Sequence, residues 1–374
     1  MSATEAKPVL FVTGHVPDYR VGALECLHER ERIELASFGG RYKHGGAGFE
    51  GVMPFPHRTV KPRGLYALAA SGAYRAVVCP TGGRLAPLAT WGGARRARVP
   101  VIVWASLWAH PRSLAHAFTY LPVRHLYRKA DAIVTYGPHV SAYVRELGAR
   151  NVHVAPQAVD NDFWSASDLR TPSNPGWPAV AAAEVRFLFV GRPAPEKGLT
   201  VLADAWRAAD LEAGRAALVL AGVEPDLETI TPAGPRRGSD ASMLGLGRLD
   251  PVELRNVYAA CDVLVLPSVQ TRTFREPWGL VINEAMNRGL PVIASDAVGA
   301  VAGGLVRDGE NGLVFESGDS DALAHAIARL AGDPQLRGRL GAQGAEDVRA
   351  YTYEAWANGF SAALASIGLA REHW

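Results

Sequence analysis

Short apolar runs alternate along most of the chain with longer stretches in which apolar residues recur every three or four positions. The runs at 9–13, 33–38, 76–79, 101–105, 132–135 and 152–155 have the length and composition of buried strands. A second series follows at 187–190, 217–221, 263–266, 292–294 and 312–315, with helical patterns between most of them. Alternation of this kind predicts α/β architecture, with parallel sheets joined by right-handed crossovers. The stretch 164–182 is rich in Ser, Pro, Ala and Gly, breaks the alternation and reads as an interdomain linker. Residues 224–243 mix prolines, glycines and charges and read as a loop or partly disordered insertion. The last helical run covers 353–369, which gives three segments: 1–165, 166–352 and 353–374.

Composition narrows the class. The 374 residues, 48% of them hydrophobic, suffice for two cored domains. No apolar run approaches the roughly 20 residues of a membrane span. Residues 1–8 lack the charged-then-apolar order of a secretory signal. Cys26, Cys79 and Cys261 are scattered without metal-ligand spacing, which argues for a reducing cytoplasm and against a disulfide framework or structural zinc.

The net charge of +2 hides an asymmetry. Residues 1–165 hold 20 Lys and Arg against 11 Asp and Glu, and the remainder holds 19 against 26. A basic amino-terminal half can attract an anionic acceptor, a lipid surface or nucleic acid. No helix-turn-helix or aromatic-basic RNA pattern is present, so nucleic acid is not expected. The segment 113–130 sets Phe118, Tyr120, Leu121, Leu126 and Tyr127 beside Arg112, Arg124, His125, Arg128 and Lys129. This is the make-up of an interfacial amphipathic helix or of an ordinary surface helix, interrupted at Pro122.

Two stretches carry candidate chemistry. In Glu276-Pro277-Trp278-Gly279-Leu280-Val281-Ile282-Asn283-Glu284, a strand-like run comes before and a helical run, ending at Gly289, overlaps the end. The first glutamate should therefore sit in a loop at a strand's carboxyl end, where open α/β sheets bind ligands, and the second inside the following helix. By spacing alone, a surface loop and a solvated helix face is the favoured reading of such a pair. Upstream, Phe187-Leu188-Phe189-Val190 runs through Gly191-Arg192-Pro193-Ala194-Pro195-Glu196-Lys197-Gly198 into a helix. Strand, glycine turn, two cations and a helix start together make an anion site, with arginine as a fork and lysine as a point charge.

These stretches resemble the retaining, nucleotide-sugar-dependent glycosyltransferases of family 4. The likeness continues through Ala285-Met286-Asn287-Arg288-Gly289-Leu290-Pro291-Val292-Ile293-Ala294-Ser295 and through Leu305-Val306-Arg307-Asp308-Gly309-Glu310-Asn311-Gly312-Leu313-Val314. The resemblance implies a GT-B fold: two Rossmann-like domains facing across a cleft, with the final helix crossing back to the first. It implies that Arg192 and Lys197, beside Gly191, neutralise a departing diphosphate with help from the amides of Gly279 and Leu280. Glu276 then accepts from sugar hydroxyls and Glu284 takes the ribose. The base falls near Leu246-Gly247-Arg248-Leu249, and Trp278 either packs under the sugar or nucleoside or belongs to the core. The donor is a UDP- or GDP-linked sugar, and no metal or other cofactor is implied.

The amino-terminal half resembles the family less closely. Gly14-His15-Val16-Pro17-Asp18-Tyr19-Arg20-Val21-Gly22 lacks the Gly-Gly pair of many members. It is similar instead to a Pro-x-Tyr-Arg-Val branch common in surface-polysaccharide assembly, which makes Tyr19 and Arg20 candidates for phosphate or acceptor contact. Many members place a histidine after the strand at 101–105 against the donor sugar. His110 is that catalytic candidate, further from the strand than usual, with Ser106 as the alternative. The segment Pro156 to Trp164 matches the family's hinge, with Gln157 in an Asn position, so Asp160-Asn161-Asp162 is not read as a metal site. The implied activity is retaining glycosyl transfer in cell-surface glycan or glycolipid assembly. The enzyme would be cytoplasmic, with peripheral contact at the membrane's inner face and a lipid-linked or anionic acceptor. Glycosylation of a soluble natural product, a sugar phosphorylase or epimerase, and an inert partner subunit are the rival readings.

Overall fold

The computed structural model describes residues 7–39, 51–83, 85–212, 214–224 and 242–371. The insertion read at 224–243 therefore lies, from 225 to 241, outside the described residues. The chain divides into two compact units, Met1–Asp160 with Tyr351–Trp374, and Asn161–Ala350.

The first unit is a seven-stranded sheet of β1 (Val9–Thr13), β2 (Ile33–Ser37), β3 (His57–Thr59), β4 (Ala76–Pro80), β5 (Val101–Ala105), β6 (Ala132–Thr135) and β7 (Val152–Val154). Their order is 3-2-1-4-5-6-7 and every pairing is parallel. The second unit holds β8 (Val185–Val190), β9 (Ala216–Ala221), β10 (Met243–Gly247), β11 (Val263–Leu266), β12 (Val292–Ser295) and β13 (Gly312–Phe315). Their order is 10-9-8-11-12-13, again all parallel. The direction of winding reverses between β1 and β4 in one sheet and between β8 and β11 in the other. The strands β4, β9, β11 and β12 are buried at every position, which is why they read as unbroken apolar runs.

Two strands escape the apolar pattern. β3 is His57-Arg58-Thr59, exposed throughout, and β10 is glycine-rich, with a register shift between Gly245 and Gly247. Both are edge strands, where apolar burial is not demanded on both sides. The helix expected to break at Pro122 instead runs from Leu114 to Lys129. Proline removes only the N–H that would bond the Phe118 carbonyl, and at this exposed turn water can replace it.

The stretch read as a linker is instead folded onto the second unit. Trp164 meets Tyr258 edge-on at 5.5 Å, the Arg170 N–H donates to Asn256 Oδ1 at 3.0 Å, and Trp177 is buried at the start of the helix Trp177–Ala181. The division between units accordingly falls after Asp160 rather than after 165.

The final helix, Tyr353–Ala365, belongs to the first unit. Thr352 caps it by accepting the Ala355 N–H at 3.1 Å. Trp356 is fully buried, with ring centres 6.2 Å from Phe11 on β1, 5.9 Å from Trp104 on β5 and 4.6 Å from Phe360. Replacing Trp356 by Ala should cost about 3–5 kcal/mol, the range for emptying an aromatic site in a core. A lowered thermal midpoint by circular dichroism is the expected outcome. An unchanged midpoint would show that this helix is not part of the unit's core.

Candidate active site

A parallel sheet opens a crevice where its strand order reverses, at the carboxyl ends of the strands. In the second unit that place lies between β8 and β11. β8 runs through Gly191 into the turn that carries Arg192, Glu196 and Lys197, and Gly198 opens the helix Leu199–Ala208. Gly198 has φ +68°, and a Cβ added there would lie 1.9 Å from the Pro267 carbonyl oxygen. Only glycine lets this turn lie directly on the loop that follows β11. The Val269 N–H donates to the Glu196 carbonyl at 2.9 Å and joins the same two loops.

The side chains follow from that backbone contact. Lys197 Nζ meets Glu276 Oε2 at 2.5 Å, and the buried Ser268 hydroxyl donates to the same oxygen at 3.2 Å. Arg192 pairs with Glu196 one turn along. Glu276 is itself buried and fixed through its backbone, since its carbonyl accepts the Gly299 N–H at 3.0 Å. A Cβ at Gly299 would strike the Pro277 carbonyl oxygen at 2.0 Å, so this second close approach also depends on glycine. Arg192 and Lys197 are thus each held by a carboxylate.

Glu284 occupies a different environment. It lies in the helix Val281–Asn287 and accepts at Oε2 from the Tyr258 hydroxyl, 2.8 Å away on the helix Pro251–Ala260. Burial pushes its carboxyl up to about 7, against the opposing pull of the Tyr258 hydroxyl. Burial, and then the Glu284 charge, hold the Tyr258 phenol well above its ordinary range, so it stays a proton donor at neutral pH.

Other expected donor-site residues are placed as follows. Of the two placements open to Trp278, the structure gives the core: its ring is buried and its indole N–H donates to Asn283 Oδ1 at 2.8 Å. Gly279 and Leu280 lead directly into the helix that carries Glu284. The Gly247 N–H is committed to the Val223 carbonyl at 2.7 Å, and its carbonyl receives the Gly222 N–H at 2.7 Å. It joins β10 to the turn after β9, and Arg248, exposed, and Leu249, half-buried, follow it.

In the first unit, Arg20 is 5% exposed, so its charge faces inwards. It donates to Gln157 Oε1 at 2.5 Å, and its guanidinium lies 5.4 Å from the ring centres of Tyr19 and Trp356 and 5.6 Å from that of Trp104. Arg20 is a buried tie between the β1 loop, Gln157 and the final helix, not an open anion contact. Tyr19 remains partly exposed, with its carbonyl accepting from the Tyr353 hydroxyl at 3.2 Å. Ser106 bonds the Tyr136 hydroxyl, and His110 stands edge-on to Tyr120 at 5.1 Å.

Sequence reasoning passed over three residues here. Ser268 was signalled only by its position at a strand end. Tyr258 had no signal, because its helical spacing is that of any core tyrosine. Glu196 lay inside the cation-bearing turn but was given no role. Among the described residues, no group of three or more His, Cys, Asp and Glu side chains is placed to share a metal ion.

The raised Glu284 carboxyl has a consequence for stability. A carboxyl raised in the folded state stabilises fully below its unfolded value near 4.5, and that contribution is lost as pH rises through about 7. Glu284→Gln cannot ionise. Its thermal midpoint relative to the parent should therefore climb steadily between pH 4.5 and 8 in the absence of ligand. A difference independent of pH would show that Glu284 does not titrate in this window.

Residues 184–333 match the family described as Glycosyl transferases group 1. Phosphatidyl-myo-inositol mannosyltransferase of Mycobacterium leprae is 32% identical over 208 residues, 55% of this chain and 51% of that protein. D-inositol 3-phosphate glycosyltransferase of Corynebacterium glutamicum is 35% identical over 178 residues, covering 45% and 40%. Alpha-D-kanosaminyltransferase of Streptomyces kanamyceticus is 30% identical over 254 residues, covering 63% and 60%. The chain spans about half the length of the curated relatives it matches. Among solved structures, Anabaena HepE in complex with UDP superposes with a TM-score of 0.76 at 19% identity, over 96% of this chain and 100% of that one. WaaG, a glycosyltransferase involved in lipopolysaccharide biosynthesis, superposes at 0.66 with 13% identity, over 96% and 100%. At these identities the structural likeness speaks for the fold. The segment that carries Arg192, Lys197, Glu276 and Glu284 belongs to the glycosyl transferases group 1 family, in a chain with the GT-B fold.

Proposed function

We propose that the protein moves a sugar from a nucleoside-diphosphate sugar to an acceptor hydroxyl, with retention of anomeric configuration, in the assembly of a cell-surface glycan or glycolipid. The observation that carries this reading is the meeting of Lys197, Glu276 and Ser268, beside Arg192, at the β8–β11 reversal within the family-matched segment. HepE, similar in fold, has been solved with UDP and with UDP-glucose, which supports a UDP-linked donor over a GDP-linked one.

In this reading the entering diphosphate takes over Lys197 and Arg192 from their carboxylate partners. Sugar hydroxyls then donate to Glu276 in place of the lysine, with Ser268 still bonded to it. The Glu284 oxygens have lone pairs enough for Tyr258 and for the ribose hydroxyls together. As the sugar–phosphate bond lengthens, charge grows on the departing diphosphate and the two cations meet it, an electrostatic stabilisation that does the work of a metal. The acceptor attacks an oxocarbenium-like sugar from the same face, and a leaving phosphate oxygen takes its proton.

On the acceptor side, His110, Ser106 and Tyr19 of the first unit are the candidate contacts. The named activities of the M. leprae relative and of WaaG support a lipid-linked or anionic acceptor. The name of the C. glutamicum relative, a D-inositol 3-phosphate glycosyltransferase, supports a small soluble acceptor instead.

Arg192→Ala and Lys197→Ala should each lower kcat by roughly 100-fold or more, the scale for a lost transition-state charge stabiliser. Turnover of the parent should persist in EDTA. Near-normal rates in both variants, or abolition by EDTA with rescue by Mg²⁺, would overturn this division of labour. Calorimetry separates the glutamates: Glu284→Ala should weaken binding of free UDP, whereas Glu276→Ala should spare it and damage transfer. The opposite pattern would reverse their roles.

A further inference from the structure

We infer that Tyr258 is a positioning residue for nucleotide recognition. Its hydroxyl holds one oxygen of Glu284, and the carboxylate so placed reads both ribose hydroxyls and selects ribonucleotides over their deoxy forms. This deepens the proposed function and rests on its assignment of Glu284 to the ribose. Tyr258 is fully buried, and its ring meets Trp164 edge-on at 5.5 Å. Packing of that kind asks only for a phenylalanine. The hydroxyl is what packing leaves unexplained, since a buried O–H must find an acceptor. Two acceptors lie within reach, the Val281 carbonyl at 3.3 Å and Glu284 Oε2 at 2.8 Å, and the short bond goes to the carboxylate.

The segment that enters the second unit steadies both members of the pair. Helical spacing puts Arg255 on the face of Tyr258, and Asn287 and Arg288 on the face of Glu284. Arg255 donates to the Phe163 carbonyl at 3.2 Å and lies 4.7 Å from the Phe163 ring centre. Asn287 donates to Asn161 Oδ1 at 2.8 Å, and Arg288 to the carbonyls of Trp164 at 3.2 Å and Ala166 at 2.8 Å. Residues 161–166 thus bridge the two helices and fix the distance between phenol and carboxylate before any ligand arrives. The bond from Tyr258 then pins the glutamate side chain at its far end, so less rotamer freedom remains to be lost on binding.

The other oxygen of the carboxylate is the one left for a ligand. Among the described residues, none donates to Glu284 Oε1. An ionised carboxylate only accepts, so it favours two neighbouring hydroxyls that both donate. A neutral carboxyl carries an O–H of its own and has less acceptor capacity. Burial favours the neutral form here, and the Tyr258 hydroxyl is the group set against it. Burial also keeps the phenol protonated, so that it remains a donor. Tyr258 therefore acts on the nucleotide through Glu284, by placing its oxygens and by favouring their charge.

The test measures binding of UDP, 2′-deoxy-UDP and 3′-deoxy-UDP to the full chain by calorimetry, with folding followed by circular dichroism. The parent should bind UDP about 30-fold more tightly than either deoxy form, the scale of one hydrogen bond to a charged group. Tyr258→Phe keeps the ring and removes only the hydroxyl. It should lower UDP affinity about tenfold and shrink the preference over the deoxy forms to about threefold, again on the scale of a bond to a charged group. In a Glu284→Ala background the phenol has no carboxylate to place, and Tyr258→Phe should then change UDP affinity no further. Two results would overturn the role of Tyr258 alone: a preference in Tyr258→Phe equal to the parent's, whatever its thermal midpoint, or a full tenfold loss that persists in the Glu284→Ala background. A parent that binds UDP and its deoxy forms alike would overturn the assignment of Glu284 to the ribose, and the role of Tyr258 with it.

Discussion

Two turns of backbone in direct contact, Gly198 on the Pro267 carbonyl, hold the candidate site together. Strand order makes this contact available, because β9 and β10 wind away to one side and leave β8 beside β11. The absence of a side chain at Gly198 then lets the loops close. Lys197 reaches Glu276 only as a result. That ion pair meets a need of its own, since a carboxylate as buried as Glu276 is costly without a partner, and removing one member of a buried pair commonly costs about 3–5 kcal/mol. On the proposed reading, a donor whose diphosphate draws Lys197 away supplies sugar hydroxyls to Glu276 in exchange, which free UDP does not.

The second glutamate of the pair obeys different physics. Glu276 has an ammonium group and a hydroxyl against it, whereas Glu284 has a phenol and apolar surroundings that push its carboxyl towards neutrality. Two side chains of one chemical type, a short loop and helix apart, are thus given different partners by the fold. Those neighbours come from separate elements: Lys197 from the turn after β8, Ser268 from the end of β11, and Tyr258 from the helix before it.

How much could be read from the sequence follows the same division between local and assembled features. Interior strands such as β9 and β11 are buried on both faces and announce themselves as apolar runs, so the doubly wound sheets were legible. β3 and β10 sit at sheet edges, and β3 in particular is His-Arg-Thr with nothing apolar to find. The Ser- and Pro-rich stretch after Trp164 was misread as a linker because composition reports backbone preference, not what Trp164 and Trp177 dock against. At the site, the strand, glycine and cation sequence through Lys197 carried its own chemistry. The inward turn of Arg20 did not, because its aromatic surroundings, Trp104 and Trp356, come from β5 and the final helix. Local sequence says that a charge is present and leaves its direction to the tertiary fold.

The first unit is also discontinuous: the chain leaves it after Asp160 and returns at Tyr351. On a ribosome its seven strands emerge early, yet the Phe11 and Trp104 face of that sheet waits for Trp356 and Phe360. At about 5–20 residues per second, the intervening segment takes roughly 10–40 s to synthesise. During that time the later-made unit, being contiguous, can complete its own core first, reversing the usual amino-to-carboxyl order of domain folding. A nascent chain of this protein therefore carries an unfinished aromatic surface, and a need for chaperone protection, until Trp356 and Phe360 have been made.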